Sequence, residues 1–253
     1  MESKINNSRM NNPIGFLSSF ILKIIACIFM AIDHIGFVLF PGKVIFRILG
    51  RIAFPLFAFF IAEGCHYSKH KIKRLLLILG MGIAYLLFYY IYAKMVYASI
   101  FITFAISIFF IYLLMDAKKM LFEKKYFIGF SLIVLFVILL IGAYFLFSIV
   151  DIDYGFAGML VPIFISLFDF KNINVPKLVK VLDSYPVRLL CLAVSLIGVC
   201  MTSALRESQI YCYLALIPLV FYSGKVGYSK LKYGFYAFYP IHLVIIEGIS
   251  MII

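Results

Sequence analysis

An aspartate and a histidine stand side by side in an otherwise apolar stretch, LKIIACIFMAIDHIG at residues 22–36, and Lys23 precedes His34 by eleven positions. Eleven residues make about three helical turns, so the two basic side chains share one face about 16 Å apart along the axis. Cys27 and Met30 lie between them on nearly the same face. Asp33 projects about 100° away around such a helix, so it reaches the imidazole sideways or pairs with a neighbouring helix. Histidine exchanges its proton near neutral pH and is the natural general base for a poor nucleophile. Lys23 either holds an anion or snorkels to the headgroups.

Further ionisable groups sit where apolar ones are expected. Arg47 and Arg51 (FRILGRIAFP) are four apart and share a face. Arg51 is the deeper one, and Asp33 is its nearest candidate partner. Glu63 precedes His66 and His70 (EGCHYSKH). A Glu-x-x-His pair recurs in carboxylate metal centres, but those use two copies. One copy does not assemble a metal site, which leaves Glu63 as a buried pairing or functional carboxylate. His242 lies in FYAFYPIHLVIIEG, ten residues past Lys232. Pro240 breaks the ladder just before it and frees backbone carbonyls, and Tyr239 adds a phenol. His242 is therefore either a core histidine satisfied by a carbonyl or a base that rivals His34. An ionisable residue inside a span costs roughly 3 kcal/mol on insertion scales, so each needs a reason to be there.

The elements that must hold these groups are membrane helices. The chain is 65% hydrophobic with a mean hydropathy of +1.11, more apolar surface than a soluble core can hide. Nine apolar stretches approach spanning length: 16–40, 46–67, 75–96, 97–115, 126–150, 154–168, 186–205, 210–223 and 233–253. The stretches 154–168 and 210–223 are short enough to be tilted or re-entrant, and only Lys94 marks a turn within 75–115. The first is too long for a signal-peptide core and lacks a cleavage site, so it is retained. The expected fold is an all-α, polytopic helical bundle forming one transmembrane domain over 1–253, with about nine helices and eight to ten allowed. The five cysteines form no CxxC pair and are expected as reduced packing residues.

Charge sets the orientation. Of the 23 Lys and Arg residues, 17 fall in the gaps 1–15, 69–74, 116–125, 169–188 and 224–232, and four (Lys43, Arg47, Lys94, Arg206) in the alternate gaps. Basic loops stay in the cytoplasm, which places the N-terminus inside. The net charge of +12 is then met by anionic lipid, and no nucleic-acid partner is implied. The polar stretch 169–188 carries Val175, Leu178, Val179 and Leu182 in a pattern that suggests either a short amphipathic helix on the inner surface or a plain loop.

These segments together resemble the TraX family, typified by F-pilin acetylases. The residues that carry the resemblance are LKIIACIFMAIDHIG (22–36), GRIAFPLFAFFIAEG (50–64), DYGFAG (153–158), ALIPLVFYSGKVG (215–227) and KYGFYAFYPIHLVII (232–246). The stretch 75–150 matches poorly. The family sits in a wider group of transmembrane acyltransferases that includes the acyltransferase-three enzymes, in which a basic residue precedes a helix-borne histidine by the spacing of Lys23 and His34. The resemblance implies a multi-pass protein of the bacterial inner membrane and acetyl-CoA, or another acyl-CoA, as donor. The acceptor would be an amine or hydroxyl on a peptide, a pilin-like protein or a glycan. It makes His34 the catalytic histidine. Asp33 would orient or charge-stabilise it, with His242 the rival base. Lys23 would hold the donor, with Arg51 and Tyr239 also candidates for binding. Arg47 and Glu63 are left to the substrate or to structural ion pairs. The competing reading from the residues alone is a proton-coupled small-solute transporter that relays protons through Asp33, His34, Glu63 and His242. Against it, the sequence has no internal repeat.

The charge count predicts a labelling pattern. Single cysteines at positions 70, 119, 177 and 230 should resist an impermeant thiol reagent in intact cells, and those at 41 and 151 should react. Labelling at 177 from outside would break the nine-span topology.

Overall fold

The computed structural model describes residues 12, 14–170, 173–202, 206–228 and 234–252. The N-terminal residues through 11, Lys171, Lys230 and Lys232 lie outside them, so their expected cytoplasmic placement concerns residues the structure does not describe. The described chain is helical: α1 Ser19–Val38, α2 Val44–Gly50, α3 Ala53–Tyr67, α4 Lys71–Ala93, α5 Ile100–Phe122, α6 Tyr126–Ile149, α7 Gly155–Ile165, α8 Lys177–Lys180, α9 Tyr185–Thr202, α10 Arg206–Gln209, a 3₁₀ helix Ile210–Ala215, α11 Leu216–Val220 and α12 Gly234–Ser250. Six helical segments among the described residues are long and apolar enough to cross a membrane. Three shorter apolar ones, Gly155–Ile165, Ile210–Val220 and Ala237–Ser250, fall in the remaining stretches. The protein is a polytopic all-α membrane protein.

Some boundaries differ from the sequence expectation. The second stretch breaks at Arg51 and Ile52 into α2 and α3, where Arg51 N–H bonds back to the Arg47 carbonyl. The expected loop at 116–125 begins only at Glu123, because α5 runs on to Phe122. Lys94 does mark the turn between α4 and α5 and takes a left-handed φ of 56°. Among the described residues of 169–188 there is one helical turn, α8, before α9 begins at Tyr185.

The chain forms two compact units, one from the residues up to Phe57 together with those from Ile210 onward, the other Ala58–Gln209. The helix α3 begins in the first and continues in the second. In the second unit α5 packs against α4, α6 and α7, and α7 against α9. Its core joins Ile108 and Ile111 of α5, Met159 and Val161 of α7, and Leu192 and Leu196 of α9, all fully buried. Hydroxyls fasten these apolar faces. Ser107 Oγ donates to the Met159 carbonyl at 2.7 Å, and Thr103 Oγ1 to that of Asp153 at 2.6 Å. In lipid such bonds hold helices that have no hydrophobic drive to associate.

The alternation of charge is visible in the ends of this unit. Lys71 of α4 pairs with Asp116 of α5 at 2.6 Å. Lys118 reaches past the end of α7 and donates to the carbonyls of Ser166, Leu167 and Asp169 at 3.1, 3.2 and 2.7 Å. A cation there answers carbonyls that the helix end leaves open. The charge-poor gaps meet at the opposite ends of α5 and α7, where Ala98 N–H bonds to the Asp151 carbonyl and Asp153 N–H to that of Ala98.

In the first unit, α1 packs against α2 and α12. Residues 221–226 run beside the start of α1: Ser223 N–H bonds to Leu17, and Ser19 and Phe20 N–H bond to the carbonyls of Lys225 and Val226. These carbonyls satisfy the amides that open a helix without partners. Gly227 makes the passage possible, with φ of +71° and its Cα against Ser18 and Phe20. The 3₁₀ helix and α11 lead into this strip. Six residues at about 2 Å and five at about 1.5 Å give about 20 Å of rise, more than an α-helix of the same length.

Gly36 and Gly50 let α1 and α2 meet. A Cβ on Gly36 would occupy the Cβ of Phe46, and one on Gly50 would overlap the Asp33 carboxylate. Gly50→Ala should therefore lower stability by about 1–3 kcal/mol through overpacking. Gly142→Ala, with nothing near the added carbon, should not. Thermal denaturation in detergent compares the two, and equal midpoints would contradict this packing.

Candidate functional site

The ionisable residues of α1, α2 and α12 converge within the first unit. Asp33 turns toward α2: its Oδ2 accepts from Arg47 Nη1 at 2.9 Å, and its Oδ1 lies 3.4 Å from Arg51 Nη2. Arg51 Nε donates to the Arg47 carbonyl, and the Arg47 guanidinium lies over the Phe37 ring at 5.2 Å. Arg47 lies in the last turn of α2 and Arg51 at its C-terminal cap, one turn on, so both guanidiniums reach the same carboxylate. Asp33 is thus an ion-pair hub, the alternative the sequence left open to orienting His34.

His34 faces the other way. Its Nδ1 lies 2.7 Å from His242 Nε2 on α12, with ring centroids 4.9 Å apart. His242 is buried, and its Nδ1 lies 2.7 Å from the carbonyl oxygen of Phe238. Phe238 also stacks on the imidazole at 4.8 Å, and the Tyr239 ring stands edge-on to His34 at 6.3 Å.

With both rings neutral, these distances set one pair of tautomers. A carbonyl only accepts, so His242 Nδ1 carries the hydrogen that goes to Phe238. His242 Nε2 then holds a lone pair, and His34 must donate to it from Nδ1. His34 Nε2 is left as an unprotonated acceptor, the form a base requires. The chain runs from a fixed carbonyl through two imidazoles and ends on one basic nitrogen. Sequence reading set the two histidines up as rivals, but the fold makes them partners. No spacing rule could reveal this, because the pair is separated by 208 positions.

Lys23 lies nearer the start of α1, with its ammonium 6.0 Å from the Phe235 ring of α12. His34 is fifteen residues into a helix of 20, near its far end. Lys23 pairs with α12 early and His34 with it later, so the two helices run in the same direction.

Glu63 belongs to the second unit. It is buried at 3% exposure. His66 lies 2.7 Å from Asp169 Oδ2, in a buried cluster completed by Arg188 and Asp183. His70 is exposed at the start of α4. Asp169, Asp183 and Arg188 stand in or beside the polar stretch 169–188, where no sequence spacing marks them for pairing. Their signal was faint: two acidic residues in a gap otherwise marked by Lys and Arg.

No solved structure gives a significant match to the chain. A protein of Rickettsia prowazekii (strain Madrid E), itself described as uncharacterized, is 49% identical over 53 residues, 21% of this chain and 21% of that protein's length. The TraX protein family matches residues 18–250, a span that takes in α1, the two arginines, the buried Glu63 and the histidine of α12. The chain belongs to the TraX family.

Proposed function

We propose that this protein is a membrane-embedded acetyltransferase that moves an acetyl group from cytoplasmic acetyl-CoA to an amine or hydroxyl acceptor. Family membership supports acetyl transfer in general. The observation that carries the specific reading is the His34–His242 hydrogen bond at 2.7 Å, anchored on the Phe238 carbonyl. It supports His34 Nε2 as the atom that takes the acceptor's proton.

An amine or alcohol attacks a thioester poorly until it loses its proton. His34 Nε2 would take that proton as the new bond to the acyl carbon forms. The resulting imidazolium keeps its Nδ1–H on His242 Nε2, so the new positive charge is shared with a ring that the Phe238 carbonyl holds in place. The same proton then goes from His34 to the departing sulfur, and both histidines return to their starting state. Acetyl-CoA supplies the activated acyl carbon and a good leaving group.

The ends of α1 suit that donor. Lys23 and Lys225 bring two cations to the end of α1 that begins at Ser19. The α1 amides there are already bonded, so side chains would meet the CoA phosphates. The distance from Lys23 to His34 along the helix is about 16 Å, the reach of an extended pantetheine arm. Arg47 and Arg51 would hold Asp33, and through it the bend beside the site. Tyr239 would border the histidine pair. The acceptor would be a peptide N-terminus, a pilin-like protein or a glycan. The N-terminus and basic gaps would face the cytoplasm of a bacterium.

Purified protein in lipid vesicles, assayed for thiol release from acetyl-CoA and for mass gained by an added acceptor, tests this. His34→Ala should lower turnover by about 10²–10⁴-fold, the usual contribution of a general base. Acetyl-CoA binding should survive. His242→Ala should lose less, because a carbonyl-anchored partner acts only through His34. Lys23→Ala should raise KM for acetyl-CoA more than it lowers kcat. Normal turnover in His34→Ala with loss in His242→Ala would reverse the roles. Normal turnover in both, with solute uptake intact, would favour a proton-coupled transporter.

A further inference from the structure

The loop between α7 and α9 in the second unit has a closed neck and an apolar tip. The Phe170 N–H donates to Asp183 Oδ2 at 3.2 Å, which joins the two ends of the loop. Arg188 Nη2 donates to the other oxygen of Asp183 at 2.6 Å. Just before the neck, Asp169 is buried to 1% exposure against His66, and Lys118 donates to its carbonyl. A surface loop with its ends held together in this way is an Ω-loop.

Its tip is the single turn α8. Leu178 is 85% exposed and Val181 68%, with Leu182 beside them at 39%. Positions 178, 181 and 182 share one face of a helical turn. Lys177 and Lys180 flank them and are also exposed. Three large apolar residues turned outward are out of place in a polar connection facing water. They stand at the end of the unit where the basic gaps gather. On α9, Leu190 is 62% exposed and begins the outward apolar face that continues through Val194 and Ile197. Along the chain Leu182 precedes Leu190 by only eight residues.

We propose that this Ω-loop is an interfacial anchor: Leu178 and Val181 insert among the acyl chains near the headgroups of the cytoplasmic leaflet, and Lys177 and Lys180 bind its anionic lipids. Charge complementarity selects the occupant, since two lysines flank the apolar tip and the leaflet carries negative charge. Interfacial segments that combine basic and apolar residues bind such surfaces by both routes. The buried charges at the neck set how far the tip reaches. This inference rests on the orientation of the basic gaps and is independent of the chemistry at His34.

The test uses the full-length protein with Leu178→Cys carrying an environment-sensitive fluorophore. Four of the natural cysteines are buried, and Cys200→Ser removes the half-buried one. The protein is placed in vesicles of phosphatidylcholine alone or mixed with phosphatidylglycerol. Brominated lipid should quench the label and aqueous iodide should not, with stronger lipid quenching in the phosphatidylglycerol vesicles. Lys177→Gln and Lys180→Gln should each weaken that added interaction about fivefold, a typical value for one lysine at an anionic surface. Free iodide access in both vesicles would overturn the proposal, as would equal lipid quenching in the two. Protection in native membranes but not in purified vesicles would make the occupant a protein and would also overturn it.

Discussion

A charge placed inside a bilayer has no water to answer it, and this constraint organises the molecule. Asp33 is answered by two guanidiniums on α2, at 2.9 and 3.4 Å. The consequences spread outward from that one bridge. The carboxylate lies where Gly50 has no side chain, so α2 can approach α1. Arg47 lies in the last turn of α2 and Arg51 caps its end, where the chain turns at residues 51–52. With Asp33 facing α2, the next residue, His34, faces α12. Breaking a buried ion pair by removing one partner typically costs about 3–5 kcal/mol, so this bridge both fixes packing and aims the histidine.

The same rule explains features far from the histidines. Lys118 answers the open carbonyls after α7, and the amides that begin α1 are answered by the strip around Lys225. Backbone groups without partners are expensive in lipid. The resemblance motifs gain physical meanings in this way. DHIG supplies the bridge, the imidazole that meets His242 and the glycine against Phe46. SGKVG supplies the carbonyls that cap α1. FYPIHL supplies the carbonyl-anchored imidazole. In DYGFAG, Tyr154 takes a left-handed φ of 61° at the start of α7.

Much of this was legible in the residues. The apolar stretches marked the helices, because hydrocarbon demands length and little else. The alternation of Lys and Arg anticipated which gaps share an end of the second unit. The spacing of Lys23 and His34 placed both on one face of α1. What stayed hidden was pairing across the chain. A lone histidine beside Pro240 reads as a core residue or as a base, and only the fold brings it against His34. The two compact units were equally hidden, since both have the same membrane composition. The pairing of Asp169 and Asp183 stayed hidden because burial at a helix end leaves no periodic trace. The break at Arg51 was missed because an apolar run of spanning length reads the same whether the helix is continuous or bent.

The central claim is that His34 and His242 form a directed hydrogen-bonded pair that leaves His34 Nε2 basic. Nitrogen NMR of protein labelled at the imidazole nitrogens, reconstituted in lipid and assigned with His34→Gln and His242→Gln variants, measures this directly. The account predicts two neutral rings that both carry hydrogen on Nδ1, a coupling across the His34 Nδ1 to His242 Nε2 bond, and loss of that coupling in either variant. A His34 ring with its hydrogen on Nε2, or a His34 signal unchanged by His242→Gln, would contradict it.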